Sequence, residues 1–201
     1  MMRHTIFNTP VLKHFMMGIS LFFMKILGWK KAGRLPDEKK FIVIVAPHTS
    51  AWDVFYGAIL AFAFRLDPCF IAKKELFRMP LGLLMKWMGG IPVDRGSKSH
   101  TVGQMTDLFN KNEKFILALA PEGTRHKAKG WKSGFYHIAE EAHVPVQLAF
   151  LDYPTKTGGA GPLIYPSGDL ERDMQKIGAF YGTVKGKYPD KASPVVIRTK
   201  S

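Results

Sequence analysis

Among its 201 residues the chain has a single cysteine, Cys69, so it cannot close an internal disulfide, and nothing in it calls for an oxidising compartment. It also lacks an apolar run long enough to span a bilayer. The densest early stretch, FMMGISLFFM at residues 15–24, extends about 15 Å at ~1.5 Å per residue, half of a ~30 Å hydrocarbon layer. The KILGWKKAG that follows offers no small-x-small cleavage site, which argues against a signal peptide. No internal repeat, low-complexity block or interdomain linker is visible. Acidic residues are scarce: 16 Asp and Glu stand against 29 Lys and Arg, a formal charge of +13. The partner is therefore anionic, which leaves nucleic acid, an anionic membrane, or a phosphorylated or acidic-protein substrate. Nucleic acid is the poorest of these. The chain has no zinc-finger, RNP-like, KH or basic-zipper signature, and its aromatics are not arrayed with basic residues as a stacking platform.

What is present reads as one α/β domain with an N-terminal helical appendage. Hydrophobic residues make up 46% and charged residues 22%, a globular composition of ordinary domain size. Lys13, Lys25, Lys30 and Lys31 flank the apolar stretch at 15–24, so residues 1–35 are expected to hold an amphipathic helix. Either an anionic interface or the domain itself could cover it. From residue 36 onward, buried strands are expected at 41–46 (FIVIVA) and 115–120 (FILALA), with shorter strands at 69–72, 91–93 and from 144. Helices are expected at 52–64, in two pieces across Pro80 at 73–87, at 97–110, at 131–142, and at 169–181 with Asp169 as cap. The glycine-rich TKTGGAGP from residue 155 reads as a flexible loop or hairpin. This alternation predicts a central, mostly parallel or mixed sheet flanked by helices.

Both long strands end at proline and run into polar segments, the position where open α/β sheets place ligand-binding groups. The first segment, PHTSAWD, sets His48 and Asp53 five positions apart. A carboxylate on Nδ1 would fix the tautomer and leave Nε2 free to take a proton. Ser50 with Asp53 equally fits a capping box at the start of a helix. The second segment, PEGTR, carries Glu122, Gly123, Thr124 and Arg125, with Lys132 beyond. Its glycine exposes backbone donors, and arginine offers a fork that matches phosphate, although a solvated basic loop has the same pattern. A third segment, GGIPVDRG, puts Arg95 just past a short strand. The other histidines form no ligand-spaced cluster with cysteine or acid, so no metal site is expected. There is no G-x-S-x-G elbow, and Cys69 lies in an apolar strand, so no covalent nucleophile is evident.

In order and type these segments resemble the glycerolipid acyltransferases typified by 1-acylglycerol-3-phosphate acyltransferases. That family's H-x4-D motif is matched by His48 and Asp53, and its G-x-[IF]-x-[IV]-x-R block by Gly89 or Gly90 through Arg95. Its E-G-[TS]-R block corresponds to Glu122 through Arg125, and its later proline-bearing strand to Val144, Pro145 and Val146. FIAKKEL and WKSG also look like its pattern. Pro47 and Pro92 depart from it, at positions where Asn and Phe are common. The resemblance implies that His48 is a general base on an acceptor hydroxyl, held by Asp53. It also implies that Arg95, Glu122, Gly123, Thr124 and Arg125 shape the polar-head site, with Lys73 and Lys132 as further candidates. The implied reaction moves an acyl group from acyl-CoA or acyl-carrier protein to a lysolipid with no cofactor. The implied location is peripheral or monotopic on the cytoplasmic face of an anionic membrane, with no nucleic-acid partner.

Overall fold

The run that begins at Phe41 shows how the sheet is covered: Phe41, Ile42, Val43 and Ile44 are 2, 0, 4 and 0% exposed, so apolar layers lie on both faces. Burial of each such side chain contributes about 1.5–3 kcal/mol. The computed structural model describes residues 4–93 and 98–198; Arg3 and Arg95 lie outside the described residues. In chain order the elements are α1 (Leu12–Leu27), β1 (Lys30–Ala32), β2 (Lys40–Val45), α2 (Trp52–Ala63) and β3 (Cys69–Lys73). A 3-10 turn (Lys74–Phe77) leads into α3 (Leu81–Trp87), β4 (Gly90–Val93), α4 (Lys98–Lys111) and β5 (Phe115–Leu119). The chain continues through α5 (Gly134–Glu141), β6 (Val146–Asp152), β7 (Thr157–Ile164) and α6 (Leu170–Tyr181).

The described strands form one seven-stranded sheet in the order β1-β7-β6-β2-β5-β3-β4. All neighbours are parallel except the β6–β7 hairpin, so the sheet is mixed but mostly parallel, as expected. On one face Ile42 and Ile44 pack with Met105 and Phe109 of α4, Phe135 and Ile138 of α5, and Ile177 of α6. Phe41, Val43 and Ile116 point to the other face, where Ile59 and Ala63 of α2 meet Met24, Trp29 and Leu151. β2 lies between β5 and β6, so the polar segments that follow these three strands converge at one edge of the sheet.

The glycine-rich stretch after residue 155 is the second strand of a hairpin, Asp152 pairing with Thr157 and Val146 with Ile164. Its small residues make room for β1, a strand too short to show in the sequence. A Cβ on Gly159 would lie 1.9 Å from the Ala32 carbonyl oxygen. The helix expected from 131 begins instead at Gly134, because the backbone before it is engaged elsewhere: Trp131 N–H donates to Val196 O and Lys132 N–H to Pro121 O. Asp169 caps α6 as expected, its side chain accepting from the Arg172 N–H.

α1 is apolar on more than one side. Ser20 and Met24 are buried where the helix packs on α2, while Phe15, Phe22 and Ile26 remain 61–63% exposed. Trp29, just past its Gly28 C-cap, packs against Tyr56 of α2, and β1 joins the sheet beside β7. No helix among the described residues is long and apolar enough to cross a membrane.

Candidate active site

Asp53 sits both at the helix start and beside His48. Asp53, in the first turn of α2 and 4% exposed, reaches back so that Oδ2 accepts from the backbone N–H of Thr49 at 2.8 Å and of Ser50 at 2.9 Å. The same oxygen lies 3.1 Å from His48 Nδ1, and the Tyr153 hydroxyl donates to Oδ1 at 2.6 Å. Burial alone would raise the Asp53 pKa. The bonds from His48, Tyr153, Ser50 and Thr49 outweigh it, so the net shift is downward and the group stays ionised. An ionised carboxylate only accepts, so Nδ1 carries its proton toward it; of the two neutral tautomers this contact selects the one whose Nε2 lone pair is available. The side chain of His48 is 19% exposed, enough for a substrate hydroxyl to reach it.

Glu122 takes a place that its motif did not suggest. It is 0% exposed, its Oε1 accepts the His48 backbone N–H at 2.7 Å, and its Oε2 accepts the Ser193 hydroxyl at 3.0 Å. Burial raises its pKa and prevails over the bonds from His48 and Ser193 that lower it. The carboxylate therefore faces inward and holds the main chain of His48. Gly123, at φ 65°, turns the chain outward again, and its missing side chain lets Lys132 cross the turn. A Cβ there would stand 2.8 Å from Lys132 Cε. The Thr124 hydroxyl accepts from His126 N–H within the loop. Arg125 is exposed, and among the described residues no carboxylate pairs with it.

Lys73 ends β3, two strands from β2 on the same edge, about 10 Å away laterally at ~4.8 Å per strand. The edge therefore gathers His48, Asp53, Gly123, Thr124, Arg125 and Lys132, with Lys73 at its flank. Arg95, expected beyond β4, lies outside the described residues. Cys69 is buried, as its apolar setting suggested. Among the described residues, no three His, Cys, Asp or Glu are grouped to hold a metal ion.

Tyr153 and the C-terminal segment were not visible as site elements. Residues 185–198 cross the edge from β6 to β5: Lys185 N–H donates to Asp152 Oδ1, Tyr188 N–H to Thr49 Oγ1, and Arg198 Nη2 to the Glu122 carbonyl. A Cβ on Gly186 would lie 2.8 Å from Thr49 Oγ1, so only a glycine lets the strap pass this close. No local pattern marks these residues, because their partners are 33 to 139 positions away.

A family model described as Acyltransferase matches residues 30–149. A 1-acyl-sn-glycerol-3-phosphate acyltransferase of Streptococcus pneumoniae is 30% identical over 116 residues, 56% of this chain and 42% of that protein. One from Limnanthes alba is 29% identical over 114 residues, 54% of this chain and 40% of that protein. The chain thus spans less than half the length of these curated relatives. The crystal structure of the 1-acyl-sn-glycerophosphate (LPA) acyltransferase PlsC from Thermotoga maritima shares the fold, with a TM-score of 0.56 over 83% of this chain and 74% of that one, at 21% identity. With His48, Asp53 and the Glu122–Arg125 turn all inside the matched span, the chain belongs to the acyltransferase family.

Proposed function

We propose that the chain is an O-acyltransferase that moves a fatty acyl group from acyl-CoA or acyl-carrier protein to the hydroxyl of a lysolipid, 1-acylglycerol-3-phosphate foremost, in phospholipid biosynthesis. The observation that carries this reading is the dyad: an imidazole whose Nδ1 is committed to the ionised Asp53 and whose Nε2 is open at the strand-end edge. In the proposed step Nε2 takes the acceptor's hydroxyl proton as its oxygen attacks the thioester carbonyl. The tetrahedral intermediate then expels the thiolate, which recovers the proton from His48. The thioester is itself the activated group, so the proposal uses no cofactor and no metal. Direct transfer is supported by the burial of Cys69 and the lack of an elbow serine. Arg125 and, from the sequence, Arg95 would take the acceptor phosphate, with Thr124, Gly123, Lys132 and Lys73 around them.

The decisive experiment incubates purified protein in detergent or liposomes with a panel of lysolipids, an acylated amino acid included, and with both donor types, and reads products by mass spectrometry. A donor-dependent diacylglycerol phosphate is expected; no acylated product from any pair would overturn the reading. In the same assay Arg125→Glu should raise KM for the phosphorylated acceptor about tenfold or more, the worth of a charge-assisted phosphate contact. An equal loss with a phosphate-free acceptor would argue against phosphate recognition.

The same proposal puts the protein on the cytoplasmic face of an anionic membrane, peripheral or monotopic. Phe15, Phe22 and Ile26 of α1 and Val54 and Phe55 of α2 are exposed, with Lys13 and Lys25 beside them, a composition suited to an anionic interface. Replacing Phe22 and Ile26 together by Asp should weaken flotation with phosphatidylserine vesicles several-fold while leaving Tm unchanged, since both side chains are solvent-facing. Unchanged flotation would remove α1 as the attachment.

A further inference from the structure

Asp53 Oδ2 is committed to His48 Nδ1 and to the Thr49 and Ser50 N–H groups, whereas Oδ1 accepts from the hydroxyl of Tyr153. Tyr153 follows β6 directly and lies outside the span matched by the family model. Its ring meets Trp29 edge-on at 5.2 Å and Tyr56 at 5.9 Å, and its backbone N–H donates to Lys185 O of the strap. Three separate elements thus hold one hydroxyl on one carboxylate oxygen.

We propose that Tyr153 is a positioning residue for the dyad: it sets the plane of the Asp53 carboxylate and withdraws charge from it, tuning how strongly Asp53 attracts the His48 proton. This inference rests on the general-base reading of His48. With only Oδ2 anchored, the carboxylate could rotate about its last bond. With the phenol on Oδ1 that rotation is resisted and Oδ2 is kept on the imidazole N–H, which keeps Nε2 aimed at the edge. Burial and the adjacent Asp53 raise the phenol pKa well above its ordinary value, so it remains a proton donor throughout the working range. The other titratable groups facing the pair are Tyr56 of α2, Tyr188 of the strap and Glu122 beneath His48, and the test leaves all three in place.

The test compares the full chain with Tyr153→Phe, which removes one oxygen and keeps the ring, and with 3-fluorotyrosine at 153, which keeps the hydroxyl and makes it a stronger donor. The primary readout is the NMR titration midpoint of the His48 imidazole, which needs no substrate. It should rise by roughly half a pH unit in Tyr153→Phe, because an unshared carboxylate charge favours the imidazolium, and fall in the fluorinated protein. With 1-acylglycerol-3-phosphate and acyl-CoA, kcat should drop about tenfold in Tyr153→Phe with little change in KM, and the acid limb of the pH profile should follow the midpoint. An unmoved midpoint in both variants overturns the proposal, even if Tm falls, since a purely structural tyrosine would lower Tm alone. Shifted midpoints beside a fully active His48→Ala would instead leave the tuning intact and remove the general-base reading.

Discussion

His48→Ala is expected to abolish acyl transfer, lowering kcat by a factor of about 10²–10⁴ or more, the range over which a positioned general base acts. The fold should survive. The lost side chain is partly exposed and makes one hydrogen bond, and Asp53 keeps its bonds from Thr49, Ser50 and Tyr153. Initial rates, a thermal melt and vesicle flotation on the same preparation separate the outcomes: rate lost, Tm within a few degrees, binding unchanged. Retained turnover would sink the catalytic assignment. Asp53→Asn should lose nearly as much activity by another route. An amide can present its NH₂ to Nδ1 and so stabilise the wrong tautomer, which leaves the proton on Nε2.

Glu122→Ala should cost stability as well as activity. It leaves the part-buried His48 N–H without its acceptor and empties a fully buried volume, a cost of about 1–3 kcal/mol for the donor alone. At roughly 2–4 °C per kcal/mol for a domain of this size, Tm should fall by at least several degrees. Activity should fall with it, because the main chain of the base is no longer anchored. Glu122→Gln keeps an amide oxygen for that N–H and should restore most of the stability. A Glu122→Ala protein as stable and active as the parent would show that the anchor is dispensable.

The two buried acids also have opposite pH signatures. Asp53 has a lowered pKa, so its contribution to stability is present above the unfolded-state value and is lost as pH falls through the folded one. Glu122 has a raised pKa, so its ionised form costs stability at neutral pH, and the cost is relieved as pH falls through the raised value. The stability of Glu122→Gln relative to the parent should therefore be highest near neutrality and fall in acid, as the parent's own cost is relieved, which melts at pH 7, 5 and 4 would show.

How much of this was legible in the sequence depends on how far each interaction reaches along the chain. The dyad was legible because His48 and Asp53 are five residues apart and a helix start follows a buried strand, so local geometry alone can bring them together. The strands at 41–46 and 115–120 were legible because burial on both faces demands continuous apolar runs. β1 was not, and β7 only as the hairpin alternative for TKTGGAGP, since lysines at an edge and glycines against a close neighbour carry no hydrophobic signal. The motif containing Glu122 was found, yet the direction of its carboxylate was not. A turn residue can face solvent or interior, and only the His48 and Ser193 donors decide which.

By itself, then, the sequence determined the class of sheet, the pairing of His48 with Asp53, the basic edge at Arg125 and Lys132, and the family. Tertiary structure alone decided that Glu122 anchors the main chain of His48, that Tyr153 occupies the far oxygen of Asp53, and that residues 185–198 strap the strand ends together. The reason is hydrogen-bond accounting: a buried donor or acceptor must be satisfied, and which groups are buried is known only once distant segments have crossed.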